Sequence, residues 1–569
     1  MSHEAFLRTI IAQPDDDLPR LVYADWLDER DDPARAEFIR IQCELAHLPD
    51  DDAERRPMLE DREHELLAEH EPAWLGSELV GLQEWEFQRG FLHSMTAELK
   101  YIQEWPDSFH ELSTVRDCTP TQNGTYVNRR EDQELHSDIE YHSSRLYSRL
   151  VTLDLSQLKR AVGMVRELLI ADEFPSLKKL NLTSNSEIHC TAESLQYWPI
   201  LPHLDSLFLG EYDPYRSDYD SFPTLHAALS RCKLTELSLY HCGLTTGEIG
   251  ALLETNLALS LKSLDISANL VYPDVLRAFQ QANPAMRLNR LDVSGLPSTK
   301  EALESFWACH CLENLTEFEI NNCLSTRKVM ESVANSRYWS QASKFRAYNS
   351  QLSATQLEPL CQATGPSNLK LLDLGYADLR PDGVQMLCNA PWADSITWLG
   401  LTGTSLDDES VKVLAESGRF QKLRTLHLGN NDVYLDGNSL LGITNESVVS
   451  LANANNFANL RILTLNGTEI EHVAVEAVMN SPHWKLSGLN LGDCKMQPQL
   501  INPLAASPRL ARLSILNLSN NPSLAGDALL PLAESPYLSR LCELDIRGCG
   551  ASDRVREILR ERLGPRLSD

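Results

Sequence analysis

Nowhere in the 569 residues do eighteen apolar side chains follow one another, so no membrane-spanning helix is expected. The opening residues lack the basic stretch and apolar core of a secretory leader. Met1 to Ile11 is a polar-flanked amphipathic segment, and Pro14, Asp15, Asp16 and Asp17 come directly after it. Cationic residues are also scarce: 51 Lys and Arg stand against 81 Asp and Glu, a formal net charge of −30. Each phosphate contact normally needs a Lys or Arg, so neither nucleic acid nor an anionic membrane is expected as a partner. Half of the acidic excess lies in residues 1–100, with 25 acidic residues against 10 basic ones. A solvated acidic surface is the ordinary reading of such a stretch, and basic proteins or cations are the partners it would suit.

Catalytic signatures are missing as well. The sequence holds no G-x-x-x-x-G-K phosphate loop, no G-x-G-x-x-G, no G-x-S-x-G and no H-E-x-x-H. His64-Glu65 with His70 comes nearest, but six residues on a helix put the second His off the face of the first. Cys309-His310-Cys311 has no second Cys/His pair at finger spacing and reads as the end of a repeat helix. The thirteen cysteines are odd in number, and several recur at one repeat position, where neighbours cannot all pair. A reducing cytoplasm is therefore expected. No catalytic residue, metal or cofactor is expected, and the chain is read as a non-enzyme.

What is present is a repeat. Hydrophobic residues at 43% and ten Trp are ample for a core. The pattern L-x-x-L-x-L-x-x-N/C/T appears as Leu177, Leu180, Leu182, Asn185, as Leu261, Leu264, Ile266, Asn269, and as Leu423, Leu426, Leu428, Asn431. With the weaker copies, the register starts at 150, 177, 204, 234, 261, 288, 315, 342, 369, 396, 423, 460, 486, 513 and 541, mostly 27 residues apart. The Leu-x-Leu segment alternates as a short strand with its leucines inward. The small polar residue after it can bond backbone groups left open where the chain turns, and Cys242, Cys323, Cys494 and Cys549 stand at that position. Apolar residues three and four apart between strands, as in 410–417, read as short helices. Asp407, Asp408, Thr444 and Asn445 are placed to cap them, and Ser481-Pro482, Ser507-Pro508 and Ser535-Pro536 to end them.

The expected fold is therefore an α/β leucine-rich-repeat solenoid over 150–569, about fifteen repeats long. Its parallel strands would lie on a concave face and its short helices on a convex one. Residues 1–95 are read as an all-α module, its helices centred on Phe6 to Ile11, Leu21 to Leu27, Phe38 to Leu45 and Met58 to Ala68. Residues 96–149 are read as a capping segment with a surface insertion at 117–143. Phe91 to Ala97 already alternates as a first strand, 98–112 as its helix, and Val115 opens a second strand.

The module also carries a resemblance. Glu4-Ala-Phe-Leu-Arg8, the stretch from Pro14 through Tyr23-Ala-Asp-Trp26 to Arg30, Glu37-Phe-Ile-Arg-Ile-Gln42 and Gln88-Arg-Gly-Phe91 resemble the bacterial repeat-companion domain, a module that precedes leucine-rich repeats. The resemblance implies this architecture and no reaction or ligand. Within it Trp26 is expected in the core, and Asp25 paired with an Arg such as Arg20 or Arg40.

Binding is the function class this pattern suits, with a protein partner of unknown identity and a monomeric chain. The outward residue between the strand leucines gives Phe208, Asp265, Asp292, Glu319, Arg346, Asp373 and His427 as candidates on the concave face, with Glu236, Tyr240 and Glu317 flanking. Asp265, Asp292 and Glu319 would stack three carboxylates on neighbouring strands, either solvated or engaged by a basic partner. The insertion at 211–222, with Tyr212, Tyr215, Arg216 and Tyr219, has the composition of a recognition loop and reads equally as passive surface. A second insertion at about 432–446 is expected to loop outward. Two other readings stay open: a regulatory subunit with activity in the N-terminal module, and a self-associating structural protein.

Overall fold

The fold is given by a computed structural model. It describes residues 2–49, 55–75, 81–102, 105, 107–121, 146–158, 174–183, 195, 197–210, 221–269, 278–280, 282–296, 306–307, 309–323, 325–431, 433–435, 439–537, 541 and 543–569. The chain forms two compact units, Met1–Gly243 and Leu244–Asp569.

The first unit begins with four helices at the predicted places: α1 (His3–Ala12), α2 (Leu18–Asp28), α3 (Pro33–Leu45) and α4 (Arg55–Leu75). Local chemistry sets their starts. Ser2 accepts from the Ala5 N–H, and Asp32 accepts from the Arg35 N–H with Pro33 next to it. Phe6, Ile10, Tyr23, Leu27, Ile39 and Phe91 bury one another, while Phe38, Ile41, Leu66 and Phe87 form a second cluster. Trp26 packs against the first cluster, Asp25 pairs with Arg40 at 2.7 Å, and the Tyr23 hydroxyl meets His3 Nδ1 at 2.7 Å. Trp26 and Asp25 thus take the places expected of them, with Arg40 as the partner of Asp25.

The all-α reading of 1–95 fails beyond Leu75. Residues 82–95 are extended: β1 (Leu82–Gln88) and β2 (Phe91–Glu98) pair antiparallel through a tight turn. Arg89 and Gly90 in that turn have φ of 52° and 87°, and a Cβ on Gly90 would lie 2.4 Å from Ile39. Only glycine fits there. Gln42 holds the turn, its Oε1 accepting from the Gly90 N–H and its Nε2 donating to the Phe87 carbonyl at 2.9 Å. The stretches Glu37 to Gln42 and Gln88 to Phe91, far apart in sequence, are therefore one packing unit.

Two short helices follow, α5 (Leu99–Ile102) and α6 (Asp107–Leu112). The next strand, β3 (Asp117–Thr121), pairs parallel with β2, so the first five residues assigned to a surface insertion belong to the sheet. The rest of that insertion lies outside the described residues. From here the repeat register sets the strands: β4 (Thr152–Asp154), β5 (Lys179–Asn181), β6 (Ser206–Gly210) and β7 (Glu236–Tyr240), each parallel to the one before.

The second unit continues the same rule with β8 (Ser263–Asp265), β9 (Arg290–Asp292), β10 (Glu317–Glu319), β11 (Lys344–Arg346), β12 (Leu371–Asp373), β13 (Trp398–Gly400) and β14 (Thr425–His427). The insertion after β14, expected as a loop, contains an antiparallel hairpin of β15 (Val433–Leu435) and β16 (Ser439–Leu441). Then come β17 (Ile462–Thr464), β18 (Gly488–Asn490), β19 (Ile515–Asn517), β20 (Glu543–Asp545) and β21 (Leu567–Ser568). Strands β8 to β14 and β17 to β21 pair parallel in sequence order. A strand sits two residues after each of the fifteen predicted repeat starts. The weak copy at 342 survives because aromatics fill what Ala342 and Ala347 leave: Trp339 is 1% exposed and meets Phe345 and Trp392 edge-on.

The residue after each strand does what its position demands. Asn431 donates from Nδ2 to the Leu401 and Leu428 carbonyls, and its Oδ1 accepts from the Thr404 and Leu406 N–H groups. Asn521 repeats the arrangement with Leu491, Leu518, Cys494 and Met496. At the same position the Cys323, Cys494 and Cys549 thiols donate to carbonyls of Leu296, Leu465 and Leu518. These are the backbone groups a turning chain would otherwise leave unpaired in the interior.

Candidate functional site

Each repeat strand buries its middle residue, and most leave both flanking residues at least partly exposed, one before the buried residue and one after it. Parallel pairing without slips converts these into two continuous rows within each unit. Seven of the ten predicted concave-face residues lie in the second row.

In the first unit the second row runs Asp154, Asn181, Phe208, with Asn181 Nδ2 donating to Asp154 at 3.0 Å. Lys179, in the first row, lies over the Phe208 ring at 4.7 Å and faces Glu236 at 4.0 Å. Tyr240 is 38% exposed at the end of β7. Tyr212, Tyr215, Arg216 and Tyr219 lie outside the described residues.

In the second unit the second row begins Asp265, Asp292, Glu319, Arg346, Asp373, Gly400, His427 and continues to Asp545, so the three carboxylates are neighbours as predicted. Their surroundings differ from the expectation. Glu319, expected to face solvent, is 8% exposed and lies between Arg290 Nη2 at 3.0 Å and Arg346 Nη1 at 3.7 Å. Glu317 pairs with Lys344 at 2.9 Å. Asp265 and Asp292 each accept from a serine N–H two residues on, Ser267 and Ser294. Burial, with Asp265 beside it, pushes the Asp292 carboxyl up to about 6. Burial likewise raises the Asp373 carboxyl above the ordinary range and lowers His427, which favours its neutral form. Within the ladder Glu319 is thus compensated by the chain's own cations, Arg290 of the first row and Arg346 of the second.

The first row supplies residues that reading only between the leucines missed. It runs Leu371, Trp398, Thr425, Ile462, Gly488, Ile515 in unbroken register from β12 to β19. Ile462 is 37% and Ile515 42% exposed; Leu371 and Trp398 are half-buried. The Trp398 ring lies 4.8 Å from His427 and within 6.0 Å of the Arg346 guanidinium. Gly400 makes room for it, since a Cβ there would sit 2.8 Å from the indole. Past the strands, exposed Tyr348 and Tyr376 meet edge-on at 5.1 Å. Each lies over a glycine of the next repeat, Gly375 and Gly403. The alternation of the strands carried the signal: a second outward residue must exist two positions before each one chosen.

The histidines and cysteines that come nearest to a metal or catalytic motif in the sequence have other partners or are buried. His64 Nδ1 bonds the Glu60 carbonyl, His70 packs on Trp74, and His310 turns to Glu313 while Cys309 and Cys311 are buried. Among the described residues no three His, Cys, Asp or Glu converge as metal ligands.

No family model matches the sequence, and no curated protein matches it. Solved structures do. The Rad7–Elc1 complex of yeast is 18% identical, with 75% of this chain and 92% of that chain covered at a TM-score of 0.44. An LRR protein of Leptospira interrogans is 19% identical, with 79% of this chain and 99% of that one covered at a TM-score of 0.33.

Proposed function

We propose that the chain is a non-catalytic scaffold that binds a protein partner on the strand face of its second unit, with the Leu371, Trp398, Ile462 and Ile515 row as the apolar centre. The observation that carries this is the row itself. Outward strand positions of a repeat fold are free to be polar, and apolar side chains held there in register form a partly exposed stripe. Trp398 with Tyr348, Tyr376 and Arg346 beside it has the aromatic and Arg composition of binding hot spots. The compensated carboxylates Glu317 and Glu319 fit a polar rim better than an energetic centre, so a basic partner would be steered more than held. Cysteines acting as thiol donors in the turns support a reducing compartment, and we place the protein in the cytoplasm. The N-terminal module is read as a bacterial repeat-companion domain that caps the repeats, and the chain as a monomer.

The test is a photo-crosslinking amino acid at position 398 of the full chain, exposed to lysate of the source organism, against the same probe at Lys412, which is 65% exposed on a repeat helix. A discrete protein adduct from position 398 is expected, reduced at least tenfold when Ile462→Glu is added. Equal adducts from both positions, or adducts indifferent to Ile462→Glu, would overturn the assignment of this face.

A further inference from the structure

Gly400 holds the second-row position of β13, between Asp373 and His427. Its φ is not in the left-handed region, so the backbone does not demand glycine there. Glycine is a poor strand former, and inside a strand it commonly marks a place that something approaches closely. Here two side chains approach. A Cβ at position 400 would lie 2.6 Å from Asp373 Oδ1 and 2.8 Å from Trp398 Cη2. A carboxylate oxygen and the edge of an indole thus converge on one point of the strand face.

A second ring stands on the other side of Asp373. Asp373 Oδ1 accepts from the Gly375 N–H at 3.1 Å, and a Cβ on Gly375 would lie 2.5 Å from Tyr348 Cδ2. Burial, then Tyr376 and the Asp373 carboxylate, pushes the Tyr348 hydroxyl up to about 12. Asp373 is half-buried, and among the described residues no cation forms an ion pair with it. Arg346 on the neighbouring strand attracts it through space, but that guanidinium is turned to Glu319 at 3.7 Å. Burial outweighs this attraction and the Gly375 bond, and holds the Asp373 carboxyl above the ordinary range. Asp373 therefore differs from Glu317 and Glu319, each of which has an ion-pair partner within the chain.

We propose that this point receives a guanidinium group, an arginine side chain of the protein partner, stacked on Trp398 and paired with Asp373. The proposal rests on reading the strand face as the binding face, and it names what the partner brings there. A guanidinium is planar and weakly hydrated, so it can lie on an indole while its N–H fork meets a carboxylate; an ammonium lacks that geometry. The surroundings tolerate a cation. His427, 4.8 Å from the Trp398 ring, is held towards its neutral form by burial, and Arg346 is balanced by Glu319. Tyr348 and Tyr376, exposed beside the carboxylate and edge-on to each other at 5.1 Å, offer apolar surface to the arginine's aliphatic stem. The net charge of −30 steers a cationic group towards the chain.

The experiment gives the full chain 5-fluorotryptophan at position 398 and follows its fluorine resonance during titration with acetyl-Gly-Arg-Gly-amide. The reference is the citrulline peptide, which keeps the planar group without the charge. The arginine peptide is expected to bind at one site, at least tenfold more tightly than the citrulline peptide, a comparison that needs no variant. Asp373→Asn, which keeps an oxygen for the Gly375 N–H, should weaken that binding at least tenfold. Gly400→Ala, which puts a methyl group where carboxylate and ring converge, should do the same. Asp292→Asn removes an equal charge from the same row three strands away and should leave the affinity within twofold. Equal binding of the two peptides, binding indifferent to Asp373→Asn or Gly400→Ala, or equal losses from Asp373→Asn and Asp292→Asn would each overturn the proposal. Such a failure beside a discrete protein adduct from position 398 would remove the arginine and leave the binding face standing. Arginine binding without any adduct would keep the guanidinium site and overturn the assignment of the face to a protein.

Discussion

At the scale of single residues, the acidic row shows why charge read from sequence is a poor guide to charge presented to a partner. Asp265, Asp292 and Glu319 are neighbours, yet Glu319 is buried between Arg290 and Arg346, which lie in the adjacent row and on the next strand. Asp292 is left with the least relief. With its carboxyl at about 6 in the folded chain and 3.8 as the ordinary value, the folded state holds a proton that the unfolded state releases. The cost of ionising it is absent below pH 4, grows as pH rises between the two values, and is fully present above 6. Asp292→Asn keeps an oxygen to accept from the Ser294 N–H. It should therefore stabilise the protein above pH 6 by about 2 kcal/mol, and by little at pH 4. Urea unfolding of both proteins at pH 4.0 and 7.5 reads this directly; an equal change at both would mean that Asp292 is not strained by its charge.

At the scale of elements, repeats are tied by side chains that bridge successive helices. Asp407 caps its own helix (Asp408–Glu416) by accepting from the Ser410 N–H, as the sequence suggested. Asp408 instead accepts from the Thr444 N–H and hydroxyl and the Ser447 hydroxyl, fixing the start of the next helix (Asn445–Asn453) after the long insertion. Asp408→Ala should cost about 1–3 kcal/mol in a thermal or urea melt, more than Asp407→Ala, since three donors lose their acceptor. A smaller loss for Asp408 would make it a surface residue. Ser481 and Ser535 act similarly, their hydroxyls donating at 2.6 Å to the Ala452 and Ala505 carbonyls of the preceding repeat. Such links pair residues about thirty apart and leave no local pattern. Their helix-ending role before proline was legible in the sequence; their bridging role was not. For the same reason the strands were legible even in the weak copies at 288, 342 and 396, because period and alternation are local. β1 was missed because Leu82 to Gln88, LQEWEFQ, is acidic and packs partly against helices, with no repeat to place it.

At the scale of the whole molecule, the dominant unspent term is charge. Five of the ten basic residues in the first hundred are committed to carboxylates: Arg40 to Asp25 and Asp28, Arg62 to Glu37 and Glu65, Arg55 to Glu44, Arg56 to Glu60, Arg89 to Asp17. The 25 carboxylates there outnumber their 10 cations, and the net charge of the chain is −30, so like-charge repulsion remains after pairing. Salt acts on both terms with opposite signs. It weakens ion pairs, but pairs as exposed as Arg62 with Glu37, 45% and 43%, contribute only about 0–1 kcal/mol each. It also screens the surplus carboxylates, which act over distances near the Debye length of about 10 Å at 0.1 M. The second effect should win. Raising sodium chloride from about 20 to about 300 mM at pH 7.5 is expected to raise the melting temperature by several degrees, with most of the rise below about 150 mM, where the Debye length shortens fastest. A melting temperature that falls steadily over that range would show that the exposed ion pairs outweigh the surplus charge.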